Sequence, residues 1–138
     1  DTTLGGPDIP SAEGLSVPRR SLYFHQSPED QMSFLKLFDA ADPAECYQRH
    51  RSIVPHQALA LFNSELTAAQ SRQFAAKLTS SHAADTPFIQ AAYEQILTRP
   101  PTTAEAKLCL EFLANQKSSA RERLVHALFN HHEFVTIR

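Results

Sequence analysis

Apolar residues recur along this chain at helical spacing, and most of the periodic stretches open on a capping signal. Ser27-Pro28-Glu29-Asp30 reads as an N-cap, a first-turn proline and two dipole-complementing acids, followed by an apolar face of Met32, Phe34, Leu35, Leu37 and Phe38. Asp42-Pro43-Ala44-Glu45 repeats the signal and predicts a short helix toward Arg49. Pro55 opens another that runs through Phe62, and Asn63 or Ser64 caps a following one to about Leu78. Thr86-Pro87 begins a helix with Phe88, Ala91, Ala92, Gln95 and Ile96 in register, and Arg99-Pro100-Pro101 stops it. Thr102-Thr103-Ala104-Glu105 and Ser119-Ala120-Arg121-Glu122 both read as capping boxes. The first leads into Leu108, Cys109, Phe112 and Leu113, the second into Leu124, Val125, Leu128 and Phe129. Ser21 to His25 predicts a short strand or extended segment, with Leu22 and Phe24 on one face and Tyr23 on the other.

The pattern predicts an all-α fold, an irregular bundle of about six or seven helices with an extended N-terminal arm. The arm is residues 1–19, which hold all the glycines and little periodicity; the helical domain is residues 20–138. With 3 glycines and 9 prolines, the composition suits helices joined by short turns better than tight hairpins. The chain opens on Asp1-Thr2-Thr3-Leu4, without an initiator methionine, from which the expectation is a fragment or a processed product.

Charge narrows the partners. A net charge of −2, with basic residues scattered among acids, gives no footprint for nucleic acid or an anionic membrane. No run of about 20 apolar residues is present to span a bilayer. The 2 cysteines, Cys46 and Cys109, could form one bridge but not a disulfide framework. No Cys-x-x-Cys-His occurs, so c-type haem has no usual attachment point here.

Candidate chemistry is sparse. Cys46 and His50 stand one helical turn apart and could face one metal ion, with His56 as a third ligand; a buried thiol beside a surface histidine explains the same pair. His126, His131 and His132 cluster near the end, but on a continuous helix residues five and six apart point partly away from each other. A pH-sensitive surface patch, or no role, fits them better. Gln57 and Asn63 flank an apolar helix and are expected to satisfy backbone groups in adjoining turns. No nucleophile elbow and no phosphate-cradling glycine loop is present, so no catalytic constellation is visible.

One ordered set of words points further. Gly5-Gly6-Pro7, Arg19-Arg20-Ser21-Leu22-Tyr23, Phe38-Asp39-Ala40, Cys46, Pro55-His56-Gln57-Ala58-Leu59 and Asn63 come first. Leu97-Thr98-Arg99-Pro100-Pro101-Thr102 and Leu128-Phe129-Asn130 through Glu133-Phe134 follow. In this order they resemble the C-terminal part of the DUF1553, or PSD1, family. His56 and His131-His132 depart from the family's more usual residues.

The resemblance implies an exported, extracytoplasmic parent of planctomycete type, with this region following a DUF1549 region. Haem c would sit in another domain, and the chain itself would carry no cofactor. Partners would be the upstream domains of the same parent, with a redox or polysaccharide partner as a further expectation. The charges most closely tied to the resemblance are Arg19, Arg20, Arg49 and Arg51, with Asp39. They read either as an anion or acidic-sugar site, or as an ion-paired cluster that pins the arm; burial of charge favours the second. The function expected is therefore a non-catalytic helical module that packs against or orients its neighbours. The alternative is part of an enzyme acting on polysaccharide or another extracytoplasmic substrate, its site shared with upstream residues. A weaker third reading is an electron-transfer docking surface.

Overall fold

The computed structural model describes residues 4–17, 19–38, 40, 42–44, 54–115 and 119–135. Among these the fold is all-α, with seven α-helices. They are α1 (Ser33–Leu37), α2 (Val54–Asn63), α3 (Glu65–Ser81), α4 (Asp85–Leu97), α5 (Thr103–Asn115), α6 (Ala120–Phe129) and α7 (His132–Val135). Short 3-10 turns lie at Ser11–Glu13 and Ser21–Tyr23. The chain divides into two compact units, Asp1–Ala60 and Leu61–Arg138.

The first unit is tied by backbone bonds. Ile9 donates to Tyr23 O at 2.8 Å and accepts from His25 N at 2.7 Å, forming an isolated parallel bridge between Ile9 and Phe24. Ser21–Tyr23 therefore coils rather than extends, and the expected faces change. Leu22 is 70% exposed while Phe24 is buried. Phe24 and Met32 close over Gly14, where a Cβ would stand 2.7 Å from the Met32 sulfur. Ser27 and Asp30 form a closed turn, each accepting the other's backbone N–H, so the helix expected there starts only at Ser33. Gln57 donates to Leu37 O at 2.8 Å and so caps the end of α1, the backbone role expected of it. Asp42 accepts from Ala44 N at 2.8 Å, while the helix expected to follow lies outside the described residues.

The second unit is built on apolar burial. α4 is its centre, burying Phe88, Ile89, Ala91, Ala92, Tyr93, Ile96 and Leu97. α3 offers Thr67, Ser71, Ala75 and Leu78, mostly small side chains four apart, and packs most extensively on α6. α6 returns Leu124, Val125 and Leu128. Ser71 satisfies its own hydroxyl on Thr67 O at 2.7 Å, so its burial leaves no unmade bond. α5 buries Cys109 and Leu113, but Leu108 points outward and is 65% exposed.

Arg121 fastens the α3–α4 turn. Its guanidinium donates to His82 O, Ala83 O and Asp85 Oδ1, and lies 4.6 Å above the Phe88 ring. One side chain thus satisfies carbonyls at the end of α3 and the acid that opens α4. The second capping box does not form. Ser119 sits in the left-handed region at φ 56° and makes no side-chain cap bond.

Candidate functional site

Among the described residues of the second unit, a dense polar cluster is centred on Arg99, in the word Leu97-Thr98-Arg99-Pro100-Pro101-Thr102. Each position has a local reason. Thr98 ends α4 in the left-handed conformation at φ 57°, turning the chain sharply. Pro100 and Pro101 prevent the helix from resuming. Thr102 and Glu105 form the expected capping box, Thr102 N donating to Glu105 Oε2 at 2.7 Å and Glu105 N to Thr102 Oγ1 at 3.3 Å.

Arg99 then joins three elements. It donates two parallel bonds to Glu105, at 2.9 and 2.8 Å, and two more to Glu133, at 2.8 and 3.1 Å. Two-point pairing of this kind is the strong form of the guanidinium–carboxylate bond. The Arg99 bonds lower Glu105 to a pKa of about 2, helped by the Thr102 amide. They also hold Glu133 below the usual carboxylate range, and Arg99 is pushed further toward its charged form, first by Glu105. Tyr93 lies beneath, its ring 5.6 Å from the guanidinium and its hydroxyl 3.7 Å from Cys109 Sγ. Burial raises both Tyr93 and Cys109 above their ordinary values. Cys109 is therefore a protonated core thiol at neutral pH, the opposite of an activated nucleophile.

A histidine pair adjoins the cluster. α6 ends at Phe129 and α7 begins at His132, so His131 and His132 do not lie on one continuous helix. The break brings their rings to 4.4 Å between centroids. Ligand atoms of His131, His132 and Glu133 all lie within 4.8 Å of one another. His126 stands apart, stacked on Phe62 at 5.4 Å. The separation of His126 from His131 and His132 agrees with their helical spacing, which does not bear on the neighbouring pair.

Of the charges expected to group, Arg19 donates to Gly5 O at 2.9 Å and lies 4.0 Å over the Tyr23 ring. Tyr23 OH in turn accepts from Gly5 N at 3.2 Å. Gly5 and Gly6 take φ values of 73° and 108° to present that carbonyl. Arg20 is exposed. Asp39, Arg49 and Arg51 lie outside the described residues. So do Cys46 and His50 of the candidate metal trio; its third member, His56, is exposed on α2. Sequence reasoning assigned Arg99 and Glu105 only to stopping and starting helices, and it missed Glu133. The capping box was the one local signal for Glu105, while nothing local links Arg99 to a partner 34 residues away.

No helix among the described residues is long and apolar enough to cross a membrane. The family described as PSD1, protein of unknown function (DUF1553), matches residues 3–113. The chain belongs to that family. No curated protein and no solved structure matches it.

Proposed function

We propose that this PSD1-family chain is a non-catalytic helical module of a larger exported protein, which it serves by packing against or orienting neighbouring domains. The observation that carries the reading is where the charged groups are used. Arg99 is engaged by Glu105 and Glu133, Arg121 by Asp85 and two carbonyls, and Arg19 donates to the Gly5 carbonyl of the arm. Each fixes one element to another within its unit. A buried thiol with a raised pKa and a tyrosine raised with it supply no nucleophile near neutral pH. Extracytoplasmic location, a planctomycete-type parent, a DUF1549 neighbour and haem c on another domain belong to the same proposal, and family membership is what supports them.

The test is co-expression of this chain with the upstream region of its parent, followed by co-purification. Association is expected, and it should weaken when exposed Leu108 becomes aspartate while helix content is unchanged. The enzyme alternative is read on the full-length parent with polysaccharide substrates. Turnover that disappears in Arg20→Ala at an unchanged melting temperature would overturn the module reading.

A further inference from the structure

We propose that His131, His132 and Glu133 form a binding site for a divalent transition-metal ion of the zinc class. Two imidazoles and a carboxylate are the donor set that such ions take, whereas magnesium and calcium prefer oxygen alone. The donor atoms lie within 4.8 Å of one another. Around a tetrahedral ion with bonds of about 2.0–2.1 Å, ligands stand roughly 3.3 Å apart. Side-chain rotation at exposed His132 and half-buried His131 covers that difference without moving the backbone.

The surroundings suit a cation. Arg99 holds Glu133 through Nε to Oε2 and Nη2 to Oε1, which fixes the carboxylate plane from one side. A carboxylate accepts about four bonds, so lone pairs remain for a metal on the other side. Arg99 is itself fixed by Glu105, and a hydrogen-bonded carboxylate ligand behind which stands an anchored partner is the usual outer layer of a metal site. Its positive charge is outweighed by the two carboxylates it binds, leaving the cluster net negative. One bond is given up. The Glu133 amide donates to His131 Nδ1 at 3.3 Å, and metal capture at either ring nitrogen replaces that long contact. Three protein ligands leave the remaining positions to water.

The ligands come from the α6–α7 turn (His131) and from the start of α7 (His132, Glu133), separate in sequence from the Cys46, His50 and His56 trio. The experiment is calorimetric titration of untagged protein with Zn²⁺, and with Co²⁺ followed by its visible absorption. Saturable binding at one equivalent is expected, unaffected by excess Mg²⁺. His132→Ala and His131→Ala should each weaken it at least about tenfold with the helical circular dichroism unchanged. The C46A/H50A/H56A variant should bind like the parent. Absence of binding, equal binding by the H131A/H132A double variant, or loss in C46A/H50A/H56A would each overturn the proposal. His132 is exposed, so its variant keeps the question open to a clear answer even if Glu133→Gln disturbs the Arg99 cluster.

Discussion

The two units of this chain are held by different physics. In Asp1–Ala60 the buried apolar side chains among the described residues are Phe24 and Met32, set against Gly14. The rest of the order comes from backbone bonds, from the Arg19–Tyr23 stack and from the exposed His25–Asp8 contact at 2.8 Å. In Leu61–Arg138 one continuous core joins α3, α4, α5 and α6, from Ala75 and Leu78 through Phe88, Ile89 and Tyr93 to Leu113, Val125 and Leu128. The Arg99 and Arg121 ion pairs lie at its edges. Glycines Gly5, Gly6 and Gly14 all fall in the first unit, as do most of the prolines. Where apolar periodicity is sustained, burial supplies the stability; where it is broken by turn residues, stability rests on fewer and more local bonds.

The largest effect should come from the centre of the second core. Phe88 is fully buried beneath Arg121, so Phe88→Ala is expected to cost about 3–5 kcal/mol, read by denaturant titration of the amides of α4 and α6. The same truncation at Phe24 should cost less, because fewer buried side chains surround it. Equal losses would erase the contrast between the units.

Acid sharpens the comparison next. Glu105 has a folded pKa of about 2 against an ordinary 4.5, so between those values the unfolded chain binds more protons. Its contribution is complete above about pH 5 and is lost as pH falls toward 2. Glu133 shifts in the same direction for the same reason. Stability of the second unit should therefore decline through this window, and Glu105→Gln should flatten that limb. An unchanged acid slope in the variant would show that the Arg99 cluster contributes little to folding. Solvent reaches both carboxylates, with side chains 26% and 38% exposed, which keeps this effect below that of Phe88.

How much could be read beforehand follows the same division. The apolar stripes of α4 and α6, the proline stop after Arg99 and the Thr102–Glu105 box are local patterns, and each forms as its spacing indicates. The Ser119 box fails because its backbone is left-handed, a conformation that the motif does not encode. The Ser27 signal fails because reciprocal backbone bonds to Asp30 close a turn before a helix can start. Leu108 fits the helical period but faces outward, because α5 meets its neighbours mainly through Cys109, Phe112 and Leu113. The Arg99–Glu133 pair depends on where α7 comes to lie relative to the end of α4. Only tertiary packing decides that.

The smallest effect is the most discriminating for the first unit. Gly14 has an ordinary helical φ of −58°, so alanine there carries no backbone strain. By restricting the unfolded chain it would on that count stabilise by about 0.4–1 kcal/mol. Against this, its Cβ would stand 2.7 Å from Met32 Sδ, 2.9 Å from Met32 Cε and 3.3 Å from Phe24 Cε2. Overpacking costs about 1–3 kcal/mol, and the low end applies because the obstructing atoms are mostly the tip of a flexible methionine. The net expectation for Gly14→Ala is a loss of at most about 0.6 kcal/mol, visible as slightly faster amide exchange at Ile9 and His25, whose bonds form the parallel bridge. A net gain would mean that Met32 swings aside at no cost. The packing of Phe24 and Met32 would then be loose compared with the tight core of the second unit.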